Sequence, residues 1–116
     1  MKDSSSSPEE ILQAFLDYLA VEKGLSLNTI NSYSRDLKKL FFFLKKEKIP
    51  WSQATEENLT NFIHFQSRAG LCSRSLARLI SSIRSFYKYL ILDGILDKNP
   101  AVNLSSPKIW LKLPQF

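Results

Sequence analysis

The sequence has few of the residues that build covalent or metal-centred chemistry. Cys72 is the one cysteine and His64 the one histidine in 116 residues. No internal disulfide or thiolate cluster can therefore form within the chain, and a single histidine without a cysteine or second histidine near it makes a poor metal site. Cys72, with no local His or Asp beside it, reads as a small packing residue, and His64 as solvent-facing. Glycine is scarce too, three in all, which argues against an all-β sandwich with its many tight turns and leaves no glycine-rich phosphate loop. No stretch reaches the roughly 18 apolar residues of a membrane span, and the opening MKDSSSSPEE has no apolar run of signal-peptide length. The cytoplasm is the expected compartment and no membrane partner is expected. Paired carboxylates, an HExxH pair and a Ser/His/Asp set are all missing, so neither catalytic chemistry nor a cofactor is expected of these residues.

What is present is helical periodicity in a chain of one-domain size, 44% hydrophobic and 23% charged. Residues 1–6 form a polar, serine-rich lead-in expected to be disordered. Ser7 as cap, Pro8 at the first helical position and Glu10 three residues after the cap open a first helix. Its apolar residues are Ile11, Leu12, Phe15, Leu16, Leu19 and Ala20, and Gly24 stops it. Ser26 caps a second helix, with Ile30, Tyr33, Leu37, Leu40, Phe41 and Leu44 on one stripe as far as Lys46. Ile49-Pro50-Trp51 breaks that run. A third helix begins at Thr55, carries Glu56 and Glu57 in its first turn, and runs through Leu59, Phe62, Ile63 and Gln66 towards Gly70. A fourth follows the cap candidate Ser73 and carries Leu76, Leu79, Ile80, Ile83, Phe86, Tyr87, Leu90 and Ile91 to Asp93-Gly94. Asn99-Pro100 marks a turn, with room for a short fifth helical turn at 101–104. The expected fold is all-α, a compact four-helix bundle over 7–104, followed by a linker at 105–116.

The formal net charge of +5 is not spread evenly. Segment 7–23 holds four acids against Lys23, and segment 55–70 two acids against Arg68. Segment 26–48 holds six cations against Asp36 and Glu47, and segment 73–92 holds Arg74, Arg78, Arg84 and Lys88 with no acid at all. At 100° per residue, the face of the second helix opposite its apolar stripe carries Asn28, Asn31, Ser32, Arg35, Lys39 and Lys46. The matching face of the fourth carries Arg74, Arg78, Ser81, Ser82, Ser85 and Lys88. A merely solvated helix interleaves Glu with Lys at i,i+4, and such pairs are largely missing here. Cations mixed with short hydrogen-bonding side chains suit a polyanion with readable base edges: Arg and Lys for phosphate and guanine, Asn for adenine, Ser for either. In the Phe41-Phe42-Phe43 run, three consecutive residues span 200° and cannot share one core. Phe41 belongs to the stripe and one of the others is expected under a neighbouring helix, with base stacking as the alternative.

Leu27-Asn28-Thr29-Ile30-Asn31-Ser32-Tyr33-Ser34-Arg35-Asp36-Leu37 resembles the opening helix of the core-binding domain of tyrosine recombinases. Ser75-Leu76-Ala77-Arg78-Leu79-Ile80-Ser81-Ser82-Ile83-Arg84-Ser85-Phe86-Tyr87-Lys88-Tyr89-Leu90 is similar to the last long helix of that SAM-like domain. Asn99-Pro100, Ser106-Pro107-Lys108 and Leu113-Pro114 resemble the linker into the catalytic domain in the Xer style. The resemblance spans 8–114. It implies a helical domain that clamps duplex DNA together with a C-terminal catalytic domain, its two basic helices against the major groove. Asn28, Asn31, Ser32, Arg35, Arg74, Arg78 and Ser82 are then DNA contacts by position, and Lys39, Ser81, Ser85 and Lys88 extend the same faces. The acidic first helix is left for a neighbouring recombinase protomer in a synaptic complex. The family's nucleophilic tyrosine, arginines, lysine and histidines belong to the catalytic domain. Tyr18, Tyr33, Tyr87 and Tyr89 match none of them, and Tyr33 and Tyr87 read as core. The apolar Ile109-Trp110-Leu111 fits a segment that continues into a further domain.

The resulting expectation is a monomeric domain, associated with the nucleoid, that recognises duplex DNA weakly by itself and without catalysis. Arg74→Ala and Arg78→Ala are each expected to weaken binding with little change in melting temperature. A helical protein-interaction module using the first helix or the tail is the alternative from another class, and a free-standing DNA-binding regulator is a third.

Overall fold

Side chains that satisfy orphan backbone donors decide where the helices begin. In the computed structural model, which describes residues 6–104, Ser7 Oγ accepts from the Glu10 N–H at 3.1 Å while Glu10 Oε1 accepts from the Ser7 N–H at 3.0 Å. This reciprocal box opens α1, Pro8–Val21. Ser26 Oγ accepts from the Thr29 N–H at 3.2 Å and opens α2, Leu27–Lys46. A second reciprocal box, Thr55 with Asn58, opens α3, Glu56–Arg68. The cap of α4, Ser73–Leu92, is Cys72 rather than Ser73, and no side chain closes that end. A single 3-10 turn, Trp51–Gln53, lies between α2 and α3. The chain is all-helical among the described residues, as the periodicity predicts. Residues 101–104 form hydrogen-bonded turns rather than a fifth helix: Leu104 N–H donates to Ala101 O at 3.2 Å, and Asn99 Oδ1 accepts from the Ala101 N–H at 2.8 Å. The expected disorder of 1–5 and the expected linker at 105–116 lie outside the described residues; Ser6 is described, its carbonyl accepting from Trp51 Nε1 at 3.0 Å.

Helix α4 packs against α2 and α3, and α2 in turn carries α1. The buried Leu76, Leu79, Ile83, Phe86 and Leu90 of α4 meet Ile11 and Phe15 of α1, Leu37 and Leu40 of α2, and Leu59, Phe62 and Ile63 of α3 in one cluster. Phe86 is ringed by aromatics, with Phe15 and Phe41 both at 5.5 Å between centroids and nearly perpendicular, the edge-to-face geometry that the ring quadrupole favours. Tyr87 is fully buried and its hydroxyl donates to the Trp51 carbonyl at 2.8 Å, fastening the 3-10 turn to the core. Tyr33 is half-buried against the same cluster. Tyr89 joins the core, 5% exposed, although the periodicity had passed over it, whereas Ala20 is exposed. The three phenylalanines divide as their angles require: Phe41 on Phe86, Phe43 at 5.2 Å from Phe62 of α3, and Phe42 66% exposed.

Candidate nucleic-acid interface

Two contacts fix the register of α2 against α4. Asp36 meets Arg78 and Ser82, and five residues further along α2 Phe41 meets Phe86. Both contacts advance in the same direction, so the two helices run in the same sense and their N-terminal turns come to the same end. Those turns carry Asn28 and Asn31 on α2 and Arg74 on α4, all exposed. The partial positive charges of the two helix starts add to the cations there.

The seam between the helices is a buried polar network. Asp36 is 1% exposed. Its Oδ1 accepts from Arg78 Nη2 at 2.9 Å, and its Oδ2 accepts from Arg78 Nε at 2.9 Å and from Ser82 Oγ at 2.8 Å. The Ser82 hydroxyl also lies 3.0 Å from the Arg78 carbonyl; its single proton favours the carboxylate, because charge-assisted bonds are the stronger kind. The Asp36 hydrogen bond is the main cause that raises the Arg78 guanidinium above its ordinary value. The Arg78 side chain is nonetheless 35% exposed.

This network changes the standing of two expected site residues. Ser82 is fully buried, so it is not on the open face where the helical wheel put it. It sits at the inner edge of that face and is consumed by Asp36. Arg78 is half-buried at the seam, and its truncation strands a buried carboxylate, which is destabilising by on the order of 1–3 kcal/mol after allowance for the exposed partner. The expected indifference of the melting temperature to Arg78→Ala is therefore withdrawn. Arg74 has no such partner among the described residues and stays fully at the surface.

The remaining candidates flank the seam at helical spacing. On α2, Asn28, Asn31, Arg35 and Lys39 are exposed and Ser32 half-buried, with Arg35 Nη2 donating to Ser32 Oγ at 3.2 Å. On α4, Ser81 and Lys88 are exposed and Ser85 is half-buried. Two readings outside this face need correction. Cys72 is not a packing residue: it is exposed at the start of α4 with its thiol on Ser75 Oγ at 3.4 Å, and that hydrogen bond is the first cause holding the thiol below its usual value. His64 is half-buried on α3 rather than solvent-facing. Of the two phenylalanines left off the stripe, Phe42 shares the exposed side of α2 and has Lys46 Nζ 5.5 Å from its ring centroid.

The architecture is that of a small helical domain with one polar, cationic seam and no cluster of three metal-binding side chains among its described residues. A family model for the phage integrase N-terminal SAM-like domain matches residues 12–94, and the chain belongs to that family. It is 38% identical over 113 residues to a tyrosine recombinase XerC of Leptospira interrogans, which covers 97% of this chain and 36% of the relative. It is 39% identical over 106 residues to XerC of Stutzerimonas stutzeri, covering 90% and 36%, and 37% identical over 107 residues to tyrosine recombinase XerD of Rickettsia bellii, covering 92% and 35%. The chain thus spans about a third of the length of these relatives.

Proposed function

We propose that this chain binds duplex DNA through the joined faces of α2 and α4, as the N-terminal half of a site-specific tyrosine recombinase whose catalytic residues lie outside it. One observation carries the reading. The two helix faces rich in cations, amides and hydroxyls are not scattered around the bundle but meet along one seam, locked in register by Asp36 and Arg78. The seam is a candidate for a groove of DNA: exposed Arg35, Lys39, Arg74 and Lys88 for phosphates, Asn28 and Asn31 for base edges. Membership of the integrase SAM-like family and the names of the recombinase relatives support it.

Fluorescence anisotropy of a labelled duplex, titrated at several salt concentrations, tests this. Each phosphate neutralised contributes roughly −0.9 to the slope of log K against log salt, so a few contacts give about −3 to −5. Arg35→Ala and Arg74→Ala should each bring the slope about one closer to zero without altering the fold. Absence of binding at low salt would refute the proposal.

A second surface favours contact with a neighbouring recombinase protomer. At the C-terminal ends of α1 and α4, a shallow groove of about 460 Å³ is lined by Asp17, Val21, Glu22, Tyr89, Leu92 and Asp93. Val21 and Leu92 are 78% and 65% exposed there. This acidic patch with an apolar centre suits a surface of a second copy that lies away from its DNA-binding seam. Since Arg74 and Leu92 are near opposite ends of α4, roughly 27 Å apart at 1.5 Å per residue, both surfaces can be occupied together.

A further inference from the structure

Arginine has two hydrogen-bonding edges, and the seam uses only one. Asp36 takes the side edge of Arg78, made of Nε–H and one Nη2–H. Of the five guanidinium donors, both Nη1 hydrogens and the second Nη2 hydrogen are left, and among the described residues they meet no protein acceptor. One Nη1 hydrogen and that second Nη2 hydrogen form the end edge, which has the spacing to bond guanine O6 and N7 together. The side chain is 35% exposed, and exposed Arg74 and Ser81 stand one turn to either side of it on α4.

We propose that Arg78 is a guanine-reading residue of the DNA-binding seam and that Asp36 is its positioning residue. This rests on the reading of the seam as a DNA interface. The chemistry separates Arg78 from the other cations. Its charge is already balanced by a carboxylate 2.9 Å away, so it adds little to the attraction of phosphate. What it offers is direction. Two bonds to a buried carboxylate, itself held by Ser82, fix the guanidinium plane before DNA arrives, so little side-chain entropy remains to be lost on contact. An exposed arginine with no carboxylate partner among the described residues, such as Arg35 or Arg74, contributes affinity to any sequence; a clamped one contributes a preference.

The test partitions a duplex library of about 30 base pairs with roughly ten randomised positions on the intact chain at low salt and sequences the bound fraction. Wild type should enrich guanine at one position by on the order of 5- to 100-fold, the range of a bidentate arginine contact. Arg78→Lys keeps the charge and an ion pair to Asp36 but has no fork, and should lose that enrichment with the fold intact by circular dichroism. Asp36→Asn releases the guanidinium. It should lose the same enrichment, while its salt slope steepens by about 0.9 as the freed cation finds a phosphate. A merely structural clasp predicts otherwise: lower melting temperature, all sequences weakened alike, enrichment kept. Guanine enrichment that survives Arg78→Lys overturns the assignment of Arg78, and enrichment that survives Asp36→Asn in a folded chain overturns the role of Asp36. If Asp36→Asn unfolds, Ser82→Ala removes one of the carboxylate's three donors and should blur the preference without erasing binding; an unchanged preference there overturns the positioning role. Wild type that binds without any base preference overturns this inference alone, and wild type that binds no duplex overturns the DNA reading with it.

Discussion

Tyr87 places a phenol in the middle of the core, where its hydroxyl finds only the Trp51 carbonyl. Burial pushes its pKa well above the usual value near 10. The folded chain therefore holds this proton more tightly than the unfolded chain does. The stability it contributes is complete below about pH 10 and is lost as pH rises towards the folded-state value. Tyr87→Phe should melt about 1 kcal/mol less stably at neutral pH, because the Trp51 carbonyl loses its donor, yet lose stability less steeply in alkali. Tyr89, also raised chiefly by burial, is present in both proteins and drops out of the comparison. Melting temperatures recorded between about pH 8 and 11 decide it; parallel curves for the two proteins count against this account. At this scale the sequence was only partly legible. A helical wheel ranks residues by angle on one helix, so Arg74, Arg78 and Ser82 looked alike. Only the register of α2 on α4 reveals that Asp36, 42 residues before Arg78, claims two of them.

At the scale of the element, one helix start and one helix stop escaped the sequence and the others were legible. Ser7 with Glu10, Ser26 and Thr55 announce themselves because cap chemistry is local, within three residues. Cys72 was missed because cysteine is a weak acceptor and Ser73 beside it is a good one. The break after Lys46 was attributed to Ile49-Pro50-Trp51, but the chain turns just before it, at Lys48. Lys48 N–H donates to Lys45 O and Ile49 N–H donates to Leu44 O at 2.8 Å, the paired bonds of a Schellman stop. The same two bonds close α3 at Gly70 and α4 at Gly94. Lys48 does with φ of 61° what glycine does at those ends. Its Cβ is strained there, so Lys48→Gly should stabilise the chain by about 0.5–1 kcal/mol net of glycine's greater freedom when unfolded. A urea midpoint that falls instead of rising would show that the left-handed turn is strain-free.

For the whole molecule, the fold class follows from four amphipathic stripes with short connections, and the structure agrees. Which faces lie together does not follow, since that is set by packing among residues tens of positions apart. The two surfaces assigned to DNA and to a neighbouring protomer make a prediction at this scale. On a duplex long enough for two chains, binding should be cooperative, and Val21→Glu with Leu92→Glu should abolish the cooperativity. Affinity for a duplex of about 12 base pairs, room for one chain, should stay the same or fall by less than about threefold through added like charge. Both side chains are largely exposed, so the fold should tolerate the change. Independent binding by wild type would remove this surface from consideration.

Helix α4 is the last helix of the described chain; α2 and α3 pack on it, while α1 packs chiefly on α2 and reaches α4 through Phe15 and Tyr18. Phe15 must wait for Phe86, about 70 residues later, before its ring has an aromatic partner on another helix. At about 5–20 residues per second a ribosome takes roughly 4 to 14 seconds to cover that distance. Through that interval α1 and α2 can cover each other in part, but the sides of α2 and α3 that α4 covers stay bare until this acid-free helix arrives. The chain thus stops being sticky only when α4 is complete, and a stall in translation before residue 90 leaves a nascent chain with half-covered helices and an open interior.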